Sequence, residues 1–530
     1  MQTIVTRVLI IGGGATGTGL ARDLALRGVD CVLAEKGDVN AGASGGNHGL
    51  LHSGGRYVST DPEVAAECRA EAQILKQVAS HCIEETGGVF VGVPGDDEAY
   101  MADFPSLCQK AGISCWELSP AEVRDMEPKA VDPCVVAYLV EDATIDPFRL
   151  SLENLAHAQS LSCQAFLGTR VAALERDGKR IVRAVLEKPS TGEQWAVEPE
   201  WVVNAAGAWS REVAALAGAT VDILYSKGSL VITHERLTHR VINRLRPPGD
   251  GDILVPGGTV SLLGTTSVRI KDLADVRPTV AETDRIVEEA AQLVPSLESV
   301  RYIRAYAGVR PLITGTAGSE SRGLLLIDHA GQGVENLTTI TGGKLTTFRL
   351  MAEKAADLVC SRLGVDEPCR TRTEPLPLTS AGRWTEPGLA PRLWLRGHDP
   401  DDTLLCECEM VPASTVDQIV DALAGQGAAG DLKAVGLRSR VGKGLCQGAL
   451  CGVRMLAHLY ERGTYHGAEG LAALRRFVRA RWRGMRPVLW GVSLSQEELQ
   501  DALHCGFFCL ELGQDDQPPP AGRNRKPPHA

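Results

Sequence analysis

The sequence has no run of about 18 uncharged apolar residues, the length that a helix needs to cross a bilayer. It also has no excess of basic residues, because 55 Lys and Arg stand against 66 Asp and Glu, for a formal net charge of -11. Phosphate backbones are held by dense Lys and Arg surfaces, so this balance argues against a nucleic-acid-binding protein. We expect at most peripheral contact with a membrane, and any anionic ligand must meet a local basic pocket.

The N-terminus shows no signal-peptide cleavage pattern, since residues 1–11 run directly into glycines that a fold requires. We therefore expect a cytoplasmic protein. Its 15 cysteines would stay mostly reduced there, so closely spaced ones are better interpreted as metal ligands or redox groups than as disulfides. The 530 residues, 44% of them hydrophobic and 23% charged, are enough for two to four globular domains.

A strand, a glycine-rich turn and a helix open the chain. Residues 5–11 are a β-branched run typical of a buried strand, residues 15–27 have helical spacing, and residues 31–34 predict a second strand. The turn carries the pattern G-x-G-x-x-G, which comprises Gly12, Gly14, Ala15, Thr16 and Gly17. This placement is typical of a dinucleotide-binding site.

Each glycine of the pattern has a physical role. Gly12 allows a tight turn, Gly14 lets the backbone approach a pyrophosphate, and Gly17 lets the helix pack closely on the strand. The phosphates would lie at the helix N-terminus, and Glu35 ends the second strand where an acid hydrogen-bonds a ribose hydroxyl. A glycine-rich turn that binds nothing is the alternative, and the pattern does not by itself distinguish NAD from FAD.

The rest of the chain suggests an interrupted nucleotide domain. Strand-like runs occupy residues 181–186 and 193–203, antiparallel strands are predicted at 224–233 and 253–266, and a helix is predicted at 276–294. A proline-rich stretch beginning near Pro375 has little periodicity, as linkers do. The tail, residues 514–530, has five prolines and no large apolar residue, so we expect it to be disordered.

Several motifs together resemble the FAD-dependent glycerol-3-phosphate dehydrogenases, and most closely the large subunits of their anaerobic branch. They are IGGGATGTGLARDLALRG, ASGGNHGLLHSGGRY at residues 43–57, DATIDPFRL, VVNAAGAW, GTTSVRI, AYAGVRPL and TGGKLTTFRLMAE. The similarity covers nearly the whole chain except the last few tens of residues. Gly46 departs from the family, which often has Arg there, and Leu230 stands where the aerobic relatives have a His.

The resemblance implies an α/β fold with a glutathione-reductase-like FAD domain and an antiparallel β-rich substrate domain. The implied FAD segments are about 1–85, 145–215 and 300–370, the substrate segments are 86–144 and 216–299, and a linker (376–400), a [2Fe–2S] domain (401–455) and a helical region (456–513) follow. It also implies oxidation of sn-glycerol 3-phosphate to dihydroxyacetone phosphate by hydride transfer to FAD. Companion flavin and iron–sulfur subunits would pass the electrons to a quinone at the cytoplasmic face of the inner membrane.

Oxidising an alcohol beside a phosphoester needs a cationic clamp and a base. Arg310 lies between Gly308 and Pro311, which predicts a rigid turn that presents a guanidinium to phosphate, although a surface salt bridge is an alternative. Lys344 precedes a helical pattern at residues 345–358, whose positive end could stabilise anionic reduced flavin. An ordinary glycine-containing helix start would look similar.

The resemblance assigns further residues to the site. It implies Arg56, Tyr57 and Arg322 as substrate contacts beside Arg310 and Lys344. It implies FAD contacts from Ser44, His48, Gly207, Gly342, Gly343 and Leu345. For the base, His52 and His48 are the available imidazoles in this segment, and we choose His52. A buried histidine that only hydrogen-bonds backbone remains an alternative for each.

Four cysteines near the C-terminus are closely spaced. Cys406 and Cys408 form C-x-C, and Cys446 and Cys451 form C-x4-C after 37 further residues. Four thiolates suit zinc or iron–sulfur, but zinc sites prefer two to four residues within each pair. The arrangement is similar to the bacterioferritin-associated ferredoxin-like domain, which implies a [2Fe–2S] cluster. Four unrelated structural thiols are the alternative.

Residues 471–483 have helical spacing, with arginines on the face opposite the apolar residues. We interpret this helix as packed on its own domain, with contact to anionic lipid or a partner as the alternative. Two other functions stay open. One is a related flavoenzyme that oxidises a hydroxy acid or amino acid, and the other is a non-catalytic electron-transfer subunit.

Overall fold

The computed structural model describes residues 1–274, 276–314, 320–321, 323–397, 399–425, 428 and 430–510. The predicted contact Arg322 and the predicted disordered tail lie outside these residues. The described part contains two large sheets that share a groove, followed by a mainly helical C-terminal region. Within it, no helix is both long enough and apolar enough to span a bilayer.

The first sheet, called the nucleotide sheet here, has eight strands. They are Gln2–Ile11, Cys31–Glu35, Gln164–Leu167, Arg170–Asp177, Arg180–Lys188, Glu193–Asn204, Leu324–Asp328 and Leu337–Gly342. The first strand lies in the middle and pairs in parallel with the second strand and with Glu193–Asn204. Its inner half, Val8 to Ile11, is buried on both faces, as the apolar run predicts for a parallel strand. The three predicted opening elements are therefore confirmed.

Helices cover one face of the nucleotide sheet. Ala15–Leu26, Pro147–Leu161 and Phe348–Leu363 pack there, and they bury Leu20 and Met351 in a common core. The DATIDPFRL motif starts the second of these helices. Asp146 accepts hydrogen bonds from the N–H groups of Phe148 and Arg149, and a proline occupies the first turn. A capping carboxylate followed by proline is a strong helix start.

The second sheet, called the substrate sheet here, has ten strands. They are Gly88–Gly92, Cys115–Leu118, Val136–Val140, Ile223–Thr233, Val241–Arg244, Ile253–Gly257, Val260–Gly264, Val268–Ile270, Tyr302–Thr314 and Glu320–Ser321. The pairing is antiparallel as predicted, except that Val241–Arg244 runs parallel to Gly88–Gly92. A small third sheet joins Leu50–Leu51, Ile83–Glu84 and Ala143–Ile145.

Two predicted elements of the substrate sheet are shorter than expected. The single strand predicted at 253–266 is wrong, because Gly257 and Gly258 turn the chain into a hairpin, with Gly258 at φ +65°. The helix predicted at 276–294 is Val280–Ala291, since Thr279 and Glu282 form a capping box that fixes its start. Its apolar face, including Ile286, packs on this sheet.

The remaining helices lie around the two sheets and in the C-terminal region. They are Pro62–Val78, Glu98–Lys110, Pro120–Met126, Ser210–Leu216, Leu389–Gly397, Ala413–Gly425, Leu432–Arg438, Cys451–Glu461, Glu469–Met485 and Gly491–Phe508. The predicted linker 376–400 thus contains a helix and the buried Trp384. A two-stranded ribbon, Leu404–Cys406 and Val411–Pro412, precedes the C-terminal helices.

The C-terminal region has its own apolar core and is tied to the nucleotide domain. Val416, Val435 and Leu474 are buried in that core, so the helix predicted at 471–483 packs on its own domain as expected. Arg438 makes a two-pronged ion pair with Asp38, with N–O distances of 2.6 and 2.7 Å. Because both partners are largely buried, this pair orients the region against the nucleotide domain.

The glycine turn is packed without space for side chains. A Cβ on Gly17 would overlap the carbonyl oxygen of Gly12, and a Cβ on Gly12 would lie 2.5 Å from the carbonyl oxygen of Ala205. Gly12 also has φ +119°, which L side chains rarely adopt. The packing therefore agrees with the structural roles predicted for these two glycines.

We expect Gly17→Ala to lower the free energy of unfolding by at least about 2 kcal/mol, because the added methyl must displace main-chain atoms. Gly506→Ala is the matched control, since Gly506 is an exposed helical glycine with open space around it. It should leave stability unchanged or slightly raised. Urea unfolding measures both. Equal midpoints for the two variants would contradict the packing described here.

Candidate active site

Two adjoining cavities open where the nucleotide sheet meets the substrate sheet. The first, the substrate-side cavity, has a volume of about 330 Å³, and the second, the nucleotide-side cavity, about 470 Å³. Thr16, Ser44 and Gly342 line both, so the two are continuous. The first is lined by the predicted residues Ala15, Thr16, Ser44, His48, His52, Arg56, Tyr57, Arg310, Gly342, Gly343, Lys344 and Leu345. The second is lined by Gly12, Gly14, Thr16, Glu35, Ser44, Gly207 and Gly342.

The nucleotide-side cavity carries the acid predicted to hydrogen-bond a ribose hydroxyl. Glu35 lies at its wall and accepts hydrogen bonds of 2.7 Å from the N–H groups of both Gly13 and Gly37. Burial raises the pKa of Glu35, and these two N–H donors partly offset that effect. The carboxylate is thereby held in one orientation, with lone pairs left for a ribose hydroxyl.

The N-terminus of the helix Ala15–Leu26 is hydrogen-bonded by the segment that follows Glu35. Ser44 Oγ accepts a hydrogen bond of 2.9 Å from Ala15 N, and a Cβ on Gly14 would lie 3.0 Å from the same oxygen. Gly14 therefore permits the close approach of Ser44 to the helix N-terminus. The far end of the cavity carries Lys36, whose Nζ lies 3.7 Å from the centroid of the Trp209 ring.

A row of rings and one ammonium crosses the floor of the substrate-side cavity. The rings of His48 and His52 lie 6.1 Å apart, and His52 and Tyr57 lie 5.2 Å apart. The Tyr57 hydroxyl is 3.4 Å from His52 Nε2, and Lys344 Nζ lies 4.3 Å from the centroid of the Tyr57 ring. His52 N donates to Thr346 Oγ1, which joins this row to the helix start after Lys344.

Arg56 is buried with one nitrogen unsatisfied. Its side chain is 7% exposed, and Nη2 donates to Gly249 O at 3.1 Å and to Asp252 Oδ2 at 3.2 Å. Nη1 is buried without a hydrogen-bond partner, on a side chain that lines the cavity. A buried N–H of this kind costs free energy unless a ligand satisfies it.

Arg310 reaches the cavity from a strand and not from a turn. It lies within Tyr302–Thr314, opposite Ser226, and its guanidinium donates to Thr265 Oγ1 and to Thr266 O. The predicted turn at Gly308 to Pro311 is therefore wrong. Pro311 is tolerated in this strand because the edge strand Glu320–Ser321 pairs only with residues after it, Ile313 and Thr314. Gly308, in the same strand, has no side chain and so allows the carbonyl of Gly46 to approach closely.

That contact also explains the departure at Gly46. A Cβ there would lie 2.8 Å from Gly308 Cα, so any side chain at this position, including the Arg expected from the resemblance, would require this backbone pair to separate. Sequence reasoning missed Asp252, which also pairs with Arg246 and so fixes the loop above Arg56. The Pro-Pro-Gly-Asp-Gly run before it is a turn signal that could have drawn attention to that loop.

The four C-terminal cysteines come together in two pairs. The thiols of Cys406 and Cys451 are hydrogen-bonded to each other, and so are those of Cys408 and Cys446. The bond from Cys451 outweighs burial and lowers the pKa of Cys406 to about 6, while the same bond and burial raise that of Cys451. Among the described residues, however, no three Cys, His, Asp or Glu side chains form a metal-binding group.

Comparisons with known proteins fit this geometry. Residues 7–358 match the family model described as FAD dependent oxidoreductase, so the fold and the cavities define a protein of the FAD-dependent oxidoreductase class. The chain is 40% identical to the A subunit of anaerobic glycerol-3-phosphate dehydrogenase from Escherichia coli K12, over 96% of this chain and 98% of that protein. It is 38% identical to the A1 subunit of the enzyme from Haloferax volcanii, over 96% and 91%.

The chain therefore belongs to the family of anaerobic glycerol-3-phosphate dehydrogenase A subunits, as its motifs predict. The structure of glycerol-3-phosphate dehydrogenase from Bacillus halodurans complexed with FAD superposes with a TM-score of 0.54 at 20% identity, over 96% of this chain and 91% of that one. At that identity the likeness shows the fold alone. The predicted FAD-dependent fold is confirmed at this level.

We expect Glu35→Gln to weaken FAD binding about tenfold, because an amide places an N–H against one of the two main-chain donors and loses the charge-assisted bonds. Glu461→Gln, at an exposed position on the C-terminal region, is the control. Flavin fluorescence during titration of the apoprotein with FAD measures both affinities. Unchanged affinity in Glu35→Gln would show that this carboxylate is only a structural support.

Proposed function

We propose that this chain oxidises sn-glycerol 3-phosphate to dihydroxyacetone phosphate by hydride transfer to FAD. The observation that carries the proposal is the unsatisfied, buried Nη1 of Arg56, in a cavity that Arg310 and Lys344 also line. Three cations around one cavity of about 330 Å³ match a small phosphate dianion, whereas a carboxylate substrate would require fewer. The names of the relatives support the same substrate.

The protein's contribution is to bind and orient the substrate. Arg56 and Arg310 enter from different elements of the fold, so together they can hold a phosphate from two sides. Each is restrained by its own main-chain or side-chain acceptors, which limits the rotamer entropy lost on binding. The reacting carbon would then face the floor of the cavity formed by His52 and Tyr57.

His52 is the proposed acceptor of the hydroxyl proton. Its imidazole is buried, it lies within 3.4 Å of the Tyr57 hydroxyl, and its main chain is held by Thr346. These contacts orient the ring, and a neutral imidazole is suited to accept a proton at physiological pH. Bound FAD supplies the two-electron acceptor for the hydride. Gly342, Gly343, Lys344 and Leu345 are at the cavity wall where the isoalloxazine would lie.

The most informative experiment is anaerobic mixing of the FAD-loaded chain with sn-glycerol 3-phosphate. We expect the visible flavin absorption to bleach, with no bleaching by lactate or by sarcosine. Bleaching by either of these instead would favour a hydroxy-acid or amino-acid dehydrogenase. An unbleached flavin with all three would favour a non-catalytic electron-transfer subunit.

Arg56 and Arg310, the proposed phosphate clamp, should each be needed for activity, whereas an exposed arginine elsewhere should not. We expect Arg56→Met and Arg310→Met each to lower kcat/KM for sn-glycerol 3-phosphate by about 100-fold, since each removes a charge-assisted bond to the dianion. Arg396→Met, at an exposed helical position, is the matched control and should change it less than about twofold. Steady-state kinetics with an artificial acceptor measure all three. A clamp variant that behaves like the control does not bind the phosphate.

We further propose that Cys406, Cys408, Cys446 and Cys451 hold a [2Fe–2S] cluster. Two hydrogen-bonded thiol pairs, each joining the C-x-C segment to the C-x4-C segment, supply the four thiolates that such a cluster requires. The cluster would take electrons from the flavin one at a time.

The onward path would lead through companion flavin and iron–sulfur subunits to a quinone at the cytoplasmic face of the inner membrane. The word subunit in the relatives' names supports an assembly. The terminal helix Gly491–Phe508 supports it physically, since its outward face carries four exposed apolar side chains although other residues of the helix, Cys505 and Phe508, already pack on the C-terminal core. The four exposed side chains are Val492, Leu499, Leu503 and Phe507, between 49% and 79% exposed. An apolar stripe of this kind is typical of a protein interface.

We expect Cys446→Ser to remove the absorption and the reduced-state electron paramagnetic resonance signal of a [2Fe–2S] cluster. Flavin bleaching by sn-glycerol 3-phosphate should persist, because the cavity is built from other residues. Cys505→Ser is the control and should retain two irons for each chain, the content of one [2Fe–2S] cluster. Equal iron content in both variants, purified anaerobically, would overturn the proposed ligand set.

A further inference from the structure

A third cavity lies between the substrate-side cavity and the cysteine region. Its volume is about 580 Å³, within the range of small-molecule sites. It shares Asn47 and His48 with the substrate-side cavity, and its opposite wall includes Lys443 and Gln447, next to Cys446. It shares no described lining residue with the nucleotide-side cavity, so it is a separate space from the one assigned above to the dinucleotide.

The walls of this cavity are largely apolar and come from several parts of the chain. The apolar lining residues are Ile83, Ile145, Phe148, Ile232, Val260 and Leu262. They belong to the small third sheet, the substrate sheet and the start of Pro147–Leu161. Such a surface would bind an apolar or aromatic body.

Among the described residues, two of the cations that face this cavity have no ion-pair partner. Lys443 Nζ lies 5.1 Å from the centroid of the Phe148 ring, and Arg304 Nη1 donates to Gln447 Oε1 at 3.3 Å. In the part of the chain that the structure describes, no Asp or Glu oxygen lies within 4.0 Å of either side chain's nitrogens. Burial lowers the pKa of Lys443 to about 8, an effect that Arg440 reinforces and that the carboxylates of Asp146 and Glu409, at longer range, only partly offset.

The neighbouring cations are different, because each already has an acidic partner. Arg440 pairs with Glu409 at 3.0 Å, and Arg149 pairs with Glu386 at 3.4 Å. Two further nitrogens on the lining residues, His81 Nε2 and Arg149 Nε, are buried without a hydrogen-bond partner. The cavity thus offers unsatisfied donors beside apolar walls. Its acidic lining residues are engaged elsewhere, Glu84 with Arg236, Glu386 with Arg149, and Asp146 at the start of Pro147–Leu161.

We propose that this cavity binds an aromatic anion, with its carboxylate, sulfonate or phosphate group held by Lys443 and Arg304 and its ring system against the apolar walls. The proposal goes beyond the oxidation of glycerol 3-phosphate and does not depend on it. The bound molecule would lie between the substrate-side cavity and the four cysteines.

The test uses the full-length, FAD-loaded protein and the probe 1-anilinonaphthalene-8-sulfonate. Calorimetric titration should show one saturable site in the wild type, and Lys443→Met should weaken it about tenfold or more, since it removes one charge-assisted contact. Lys443→Arg should retain most of the affinity. Lys433→Met, at an exposed lysine of the helix Leu432–Arg438 that does not line this cavity, is the control and should bind as the wild type does.

A neutral probe, N-phenyl-1-naphthylamine, separates charge recognition from a damaged cavity. It should bind wild type and Lys443→Met with the same affinity. If it weakens in parallel with the sulfonate, the substitution has altered the walls and the assignment of Lys443 fails. Equal sulfonate affinity in wild type and Lys443→Met, or no saturable binding to either, would also overturn the proposal.

Discussion

The close contact between Gly17 and the main chain of Gly12 fixes the geometry around which the two domains are arranged. It sets the distance between the first helix and the first strand, and Gly12 in turn lies against Ala205 at the end of a neighbouring strand. Any side chain at these positions would separate three segments that together form the nucleotide-side cavity. Close packing of this kind tolerates little volume change, so the site geometry follows from it.

Charge is distributed against the overall trend of the chain. The formal net charge is -11, yet Arg56, Arg310 and Lys344 surround one small cavity. Hydrogen-bond acceptors close by hold the Arg56 and Arg310 side chains in place. The negative charges on the distant protein surface are screened by salt, so they have little effect on the potential inside this cavity. The acidic composition therefore does not oppose recognition of an anion at this point.

The C-terminal region contacts the flavin domain through an ion pair and through a cavity that residues of both line. Arg438 pairs with Asp38, which follows the second strand of the nucleotide sheet, and Lys443 stacks near Phe148 at the start of a nucleotide-domain helix. The cysteines consequently belong to a region with a defined orientation toward the flavin. A fixed orientation of this kind is what the proposed electron transfer from the flavin to a cluster would need.

Local patterns in the chain and the resemblance they carry are enough to predict the dinucleotide fold and the family, and most of the flavin-site and substrate-site residues they predict line the two cavities. Glycine spacing, buried strand patterns and caps such as Asp146 act through neighbours in the chain, so they are visible without a structure. The same patterns wrongly predicted a turn around Arg310 and missed the hairpin at Gly258. Whether a proline or glycine ends a strand or lies within it depends on which neighbouring strands pair with it, and the local sequence does not show that.

Which groups face one another follows from the folded arrangement alone. The Arg56–Asp252 pair, the unsatisfied Nη1 of Arg56 and the meeting of Lys443 with Arg304 around one cavity join residues far apart in the chain. No local pattern encodes such a meeting. It arises when the sheets and the C-terminal region close on each other and remove water from side chains that separate segments supply.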